Sequence, residues 1–159
     1  MDIVKADGFS NQAGVIVDTF HFRDRFRTLE LNPSERERLK RNLRAALDGE
    51  VDLEELVRSR IQAGKRAPSR TKVETRLSFD NESSSHSTLL EVVAQDRPGL
   101  LYRIAAALAE QGCNIEIALI DTEGEMAIDV FYVTSDGVKL EENTRKALGA
   151  ALGEELREE

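Results

Sequence analysis

The chain has 159 residues, 40% hydrophobic but only 5% aromatic, enough for one ordinary domain or two small ones around a modest aliphatic core. No run approaches the roughly eighteen consecutive apolar residues of a membrane span, no basic-then-apolar leader opens the sequence, and a single cysteine, Cys113, excludes an intramolecular disulfide framework. A soluble cytoplasmic protein with no membrane partner is therefore expected.

The net charge of −8 is unevenly spread: residues 1–72 carry 15 basic and 12 acidic side chains, residues 73–159 carry 7 and 18. So acidic a second half is a poor partner for nucleic-acid phosphates, and the scarcity of aromatic side chains argues against stacking on RNA bases. In the first half the arginines alternate with glutamates, as in Glu35-Arg36-Glu37-Arg38, the pattern of a solvated helix face.

Residues 3–10 are weakly strand-like, Asn11-Gln12-Ala13-Gly14 has turn chemistry, and the β-branched and aromatic run Val15 to Phe22 completes a predicted hairpin. Asn32-Pro33-Ser34-Glu35 is a helix start, followed by Leu39, Leu43 and Leu47 at four-residue spacing and a stop at Gly49. A second short helix is predicted from Asp52 through Leu53, Leu56, Val57 and Ile61 to Gly64. Residues 65–72 read as a linker. Val73, Thr75, Leu77 and Phe79 alternate with polar residues, predicting a half-buried strand, and Leu89 to Ala94 is the next strand. Leu100, Ile104 and Leu108 share a helical stripe that Gly112 ends, Asn114 to Ile120 and Met126 to Val133 form a second hairpin, and Leu148, Leu152 and Leu156 mark a last helix.

The two halves repeat one another. Val17-Asp18-Thr19-Phe20-His21-Phe22 matches Ile128-Asp129-Val130-Phe131-Tyr132-Val133 at an offset of 111, Asp2-Ile3 matches Asn114-Ile115 at 112, and Leu43-Arg-Ala-Ala-Leu47 matches Leu148-Gly-Ala-Ala-Leu152 at 105. The first copy shows strand, strand, helix where the second shows strand, helix, strand, strand, helix. Completion of the first copy by another chain, or its survival as an incomplete layer, is expected.

Between the strand ending at Ala94 and the helix to Gln111 lies Gln95-Asp96-Arg97-Pro98-Gly99-Leu100-Leu101. Pro98 has no amide hydrogen, so the donors at this helix start are those of Gly99, Leu100 and Leu101, suited to an α-carboxylate. Asp96 accepts from an α-ammonium group in one reading and caps its own helix in the other. Asn114 offers an amide for a carboxylate or side-chain amide, with Ile115 and Ile117 as the apolar wall. Asp18 and Asp129 recur at equivalent strand positions and read as structural, solvent-facing or helix-facing. Cys113 reads as a packed residue without a histidine partner, and His21 and His86 are too few for a multi-histidine metal site. No catalytic residue, metal ligand or cofactor is predicted.

The strand, the Asp-Arg-Pro-Gly turn, the helix and Gly112-Cys113-Asn114-Ile115 together resemble the ACT domain, a ferredoxin-like βαββαβ regulatory module of the α+β class. Thr75-Arg76-Leu77-Ser78-Phe79-Asp80-Asn81-Glu82, Leu90-Glu91-Val92, Asp96 to Ala105 and Ala127 to Thr134 are similar to the last ACT domain of bacterial PII uridylyltransferase/uridylyl-removing enzymes, and Ala6 to Ser10 with Val17 to Phe20 to the second half of their penultimate one. The resemblance implies a tandem regulatory segment that binds a small amino acid, glutamine above all, and controls the parent's catalytic domains and, through them, protein PII. It implies no enzyme activity on this chain. The expected organisation is a partial repeat over 1–64, a linker over 65–72 and a complete module over 73–159. Its leading strand fills the sheet position left by the absence of a strand after the last helix. An open edge and an apolar face in the first repeat predict a homodimer, with exchanged elements as one form.

Overall fold

The structure, a computed structural model, describes residues 2–11, 13–23, 27–63 and 72–157. In order these form β1 (Asp2–Ser10), β2 (Ile16–Arg23), α1 (Thr28–Leu31), α2 (Pro33–Leu47), α3 (Leu53–Ala63), β3 (Arg76–Asp80), β4 (Thr88–Gln95), α4 (Leu100–Glu110), β5 (Cys113–Glu123), β6 (Met126–Ser135) and α5 (Glu142–Glu155). Local chemistry sets the boundaries as expected. Asn32 caps α2 by accepting from the Ser34 amide at 3.0 Å, with Pro33 in the first turn, and Asp52 accepts from the Glu55 amide at 2.9 Å. The first hairpin turn is held by Asn11, whose Oδ1 accepts from the amides of Ala13 and Val15, each at 3.0 Å. The short α1 was not anticipated, and most of the linker, together with Gly64, lies outside the described residues.

The strands form one antiparallel sheet in the order β2-β1-β5-β6-β4-β3. Helices α4 and α5 cover one face of its second half, the mixed α/β arrangement of a ferredoxin-like α+β fold. The alternating segment predicted over 73–79 appears as β3, displaced by three residues at its start, and lies on the outer side of β4 with Phe79 opposite Leu90. The Phe79-Asp80-Asn81-Glu82 stretch that follows clamps this edge. Thr88, fully buried, donates through Oγ1 to Asn81 Oδ1 at 2.6 Å and accepts from the Leu140 amide at 2.8 Å, tying the loop after β3 to the segment before α5.

The duplication is visible in the hydrogen-bond register. The β1–β2 hairpin slips register between Ile3 and Lys5, and the β5–β6 hairpin between Ile115 and Ile117, the same place at an offset of 112. Strands β1 and β5 then pair with each other about Asp7 and Leu119, again one offset apart, so the two hairpins meet across a local two-fold.

Their surroundings differ. Phe131 and Val133 are 1% and 0% exposed beneath the helix layer, in a core with Leu90, Ile104, Leu108, Leu148 and Leu152. Phe20 and Phe22, their counterparts, are 49% and 38% exposed, and α2 has no buried residue. The same apolar letters are core in one repeat and surface in the other because, among the described residues, only the second repeat has helices packed over its hairpin.

The core also holds a carboxyl group. Asp129 pairs with Ile120 and Val92 on the helix-covered face and is 2% exposed, and its Oδ1 has no hydrogen-bond partner among the described residues. Burial pushes this carboxyl up to about 7, opposed by a backbone amide of Asp121 and reinforced by the charges of Asp96 and Asp121. Asp18, its counterpart, is exposed, and leans over Gly8, where a Cβ would stand 2.9 Å from Asp18 Oδ1.

Two outcomes follow in urea unfolding. Phe131→Ala removes a buried ring and costs about 3–5 kcal/mol, whereas Phe20→Ala costs a small fraction of that in the single chain. The folded protein holds a proton on Asp129 that the unfolded chain releases, so its contribution to stability is full below the unfolded value and is lost as pH rises from about 4 through about 7. Between pH 5 and pH 8 this loss is on the order of 3 kcal/mol, and Asp129→Asn flattens the profile by that amount.

Candidate ligand-binding turn

Strand β4 delivers its chain into the turn at a fixed height. The Glu125 carbonyl, in the β5–β6 turn, accepts from the Asp96 amide at 2.8 Å and from Gln95 Nε2 at 3.0 Å, while Gln95 Oε1 accepts from the Val73 amide at 3.1 Å. Gln95 is thus spent on backbone groups.

Gly99, at φ 84, is the N-cap residue of α4, a left-handed conformation that side-chain-bearing residues adopt at a cost. Of the three amides expected to face a ligand, that of Leu100 donates to the Arg97 carbonyl at 3.1 Å, and the Arg103 amide closes the first helical turn on Gly99 at 3.0 Å. Helix geometry leaves Leu101 and Tyr102 as the amides without an intrahelical acceptor. Of the Gly99, Leu100 and Leu101 amides expected, the turn therefore consumes the Leu100 hydrogen itself.

One flank of the turn is occupied by a helix of the first repeat. A Cβ placed on Gly99 would lie 3.0 Å from Val57 Cγ1 and 3.1 Å from Ile61 Cδ1. The stripe on α3 that periodicity identifies thus has its seat on the turn. Beside it a groove of about 660 Å³ runs between α3, α4 and α5, floored by Val57, Ile61, Tyr102, Ala106 and Ala151. No spacing in the sequence signals this contact, which joins residues more than thirty positions apart.

The remaining expected site residues lie elsewhere. Asn114, exposed, opens β5 opposite Thr134, whereas Asp96 follows the far end of β4. The eight residues of β4 separate these two ends of the sheet by about 25 Å. A single small zwitterion cannot span that distance within one chain, contrary to the expectation that Asp96 and Asn114 grip one ligand.

The apolar wall is divided too. Ile115 pairs with Val133 and packs on the core, while Ile117 pairs with Tyr132 on the opposite face of the sheet. The bulge at Glu116 is the reason, since one extra residue reverses the facing of everything beyond it. The Glu116 carboxylate accepts from Ser87 Oγ at 2.9 Å and Thr134 Oγ1 at 3.3 Å, with His86 Nε2 at 3.3 Å, so polar groups around Asn114 are already engaged with one another.

The local two-fold indicates what each end does meet. Because β1 runs antiparallel to β5, the start of β1 at Asp2, the position equivalent to Asn114, lies at the same end of the sheet as the Asp96 turn. The turn of one repeat and the strand-start position of the other thus share an end of the sheet. Here the strand-start residue on the turn's end is an aspartate in place of an asparagine.

Cys113 is half-buried and its thiol is pushed up by that burial, away from the range of a reactive thiolate. No cluster of three or more metal-ligating side chains occurs among the described residues, and no helix among them is long and apolar enough to cross a membrane.

Comparison with known proteins identifies the domain that carries this turn. The ACT domain family matches residues 88–151, the segment from β4 into α5. The chain is 38% identical over 135 residues to the bifunctional uridylyltransferase/uridylyl-removing enzyme of Ruegeria pomeroyi, covering 83% of this chain and 14% of that protein. It is 33% identical over 148 residues to the enzyme of the same name from Rhodopseudomonas palustris, covering 92% of this chain and 16% of the relative. A third, from Novosphingobium aromaticivorans, is 38% identical over 133 residues, covering 84% and 14%. The chain therefore spans about a seventh of the length of these relatives. Residues 88–151 are an ACT domain, on a chain homologous over most of its length to the ACT region of bifunctional uridylyltransferase/uridylyl-removing enzymes.

Proposed function

We propose that this chain is a regulatory amino-acid-sensing segment of the uridylyltransferase/uridylyl-removing type, and that the Asp96–Leu101 turn takes the α-carboxylate of a small amino acid, glutamine in the first instance. The observation that carries the reading is the start of α4. There a glycine with φ 84 opens the helix and leaves the Leu101 and Tyr102 amides at its positive end, on an ACT domain whose relatives bear the uridylyltransferase name. Two such amides and the helix end favour a carboxylate by a few tenths to about 1 kcal/mol beyond ordinary hydrogen bonding.

In this reading the ligand's effect passes through α3. A group seated at Gly99 competes with or packs against Val57 and Ile61, so occupancy shifts a helix of the other repeat. The parent's catalytic domains, and protein PII through them, would feel that shift. The chain itself supplies recognition and not chemistry.

A second reading has its own support. With α3 already seated on the turn and Asn114 about 25 Å away, the segment serves as a structural, self-associating module indifferent to amino acids.

Calorimetric titration and thermal shift separate the two. Glutamine is expected to bind and to raise the melting temperature, by about 2.7 kcal/mol of stability at a hundredfold excess over its dissociation constant. Absence of heat and of any shift with glutamine or the other amino acids, in a folded sample, would leave the structural reading standing. Gly99→Ala supplies a variant for the same assay. Its left-handed backbone and the 3.0 Å approach to Val57 are expected to cost about 1–3 kcal/mol, and adding Val57→Ala should recover the packing part but not the backbone part. Glutamine binding should weaken in both variants.

A further inference from the structure

Asp129 is a titratable side chain that the fold buries without pairing. It is 2% exposed, and its Oδ1 meets no hydrogen-bond partner among the described residues. Strand β6 carries it between β4 and β5, opposite Val92 and Ile120, with Ala127 and Phe131 on the same covered face. Each of those neighbouring strands is hydrogen-bonded to β6 on one side and to a further strand on the other, so the sheet is closed around Asp129 and the way to Oδ1 lies through the helix layer.

Of the two helices, α4 packs on β5, the strand beside Asp129, whereas α5 meets the sheet at β3, two strands away. The start of α4 is closed without a side-chain cap. Its N-cap residue is Gly99, and the turn before it is held to the β5–β6 turn by the Asp96 amide, 2.8 Å from the Glu125 carbonyl.

The surroundings offer an ionised Asp129 little. Burial acts on it most strongly and favours the protonated form, the charges of Asp96 in the turn and Asp121 on β5 act in the same sense, and a backbone amide of Asp121 opposes them. The covered faces of β4 and β5 present Leu90, Val92, Ala94, Ala118 and Ile120, and α4 turns Leu100 and Ile104 inward. Lys5 of β1 is paired with Asp7 at 3.6 Å, Tyr102 and Arg103 of α4 line the outer groove, and Arg97 follows Asp96 in the turn.

We propose that Asp129 is a proton-controlled latch for the start of α4: with its proton it lies dry beneath the closed helix layer, and its ionised form is hydrated by an opening of the Asp96 turn and the first turn of α4 that leaves the sheet paired. A dry, unpaired charge is worse than the loss of one uncapped helical turn, so the local opening is favoured over keeping the ion buried. The pH-dependent loss of stability thereby has a first place of opening. The proposal is independent of whether the Asp96 turn holds an amino acid.

Hydrogen exchange on the full 159-residue chain, corrected for the intrinsic pH dependence of exchange, tests this. Protection of the Arg103, Ile104 and Ala105 amides should fall by up to about a hundredfold between pH 5 and pH 8 and level off above about 7, with a weaker urea dependence than the amides of the β4–β6 ladder. In Asp129→Asn that fall should vanish, and Asp129→Val, of similar volume and without an amide to satisfy, makes the same measurement where the Asn variant folds poorly. Asp121→Asn, which removes a like charge, should lower the midpoint of the fall. By NMR the Asp129 carboxyl carbon should titrate with the wild-type midpoint. Amides at the start of α4 that open only together with the whole sheet, a fall that persists in the Asn or Val variant, or an Asp129 carboxyl that titrates in the ordinary range near about 4 would each overturn the proposal.

Discussion

Strand β5 is the member on which the rest of this structure depends. It is hydrogen-bonded along both sides, to β6 within its own repeat and to β1 of the other, so it is at once an inner strand of the ACT domain and the seam of the whole sheet. Its pairing with β1 about Asp7 and Leu119 imposes the local two-fold. That symmetry fixes where every feature of one repeat falls relative to the other: the turn of the second repeat shares an end with the beginning of β1, and α3 from the first repeat reaches Gly99. Without this seam the first hairpin would have no side covered at all, since a two-stranded ribbon is marginal in water on its own.

The turn before α4 is built largely from groups that hold one another. Gln95, Leu100 and the Glu125 carbonyl are consumed in holding the backbone, and the Leu101 and Tyr102 amides further along α4 have no acceptor within the helix. Glu125 belongs to the β5–β6 turn, so the height of the Asp96 loop is tied to the hairpin that borders the other repeat. A displacement on either side of the seam therefore has two rigid routes to the same turn, one through α3 and one through this shared carbonyl.

Much of this was readable from the residues. The alternation at Val73 to Phe79 located the added edge strand, Asn32-Pro33 and Asp52 fixed helix starts, and the matched Asp-x-Phe strands exposed the duplication, because these are local patterns with local causes. Features that depend on register or on contacts between distant segments were not readable. The bulge at Glu116 leaves no trace in composition, yet it sends Ile115 and Ile117 to opposite faces. The separation of Asn114 from Asp96 follows from strand length and direction, not from residue type. Asp129 among its apolar neighbours reads as helix-facing or solvent-facing, but its burial comes from the helix layer over that face, and its counterpart Asp18 in nearly identical sequence is exposed. The contact of Val57 and Ile61 with Gly99 is a meeting of two stripes, each visible, whose encounter was not.

The shared bulge also governs what lengths this sheet tolerates. Beyond Glu116 the strand alternates with a fixed phase, Ala118 and Ile120 inward and Leu119 outward. Gain or loss of one residue between the bulge and the seam would invert that phase, bringing Leu119 under the helices and carrying Ile120 to the open face, while also breaking the match of Asp7 to Leu119. A change of two residues keeps the phase and only slides the repeats along one another. Drift in spacing between the repeats is therefore confined to the loops, where the offset falls from 112 to 111 across the hairpin turn and to 105 at the last helix, and never enters the paired part of the hairpins.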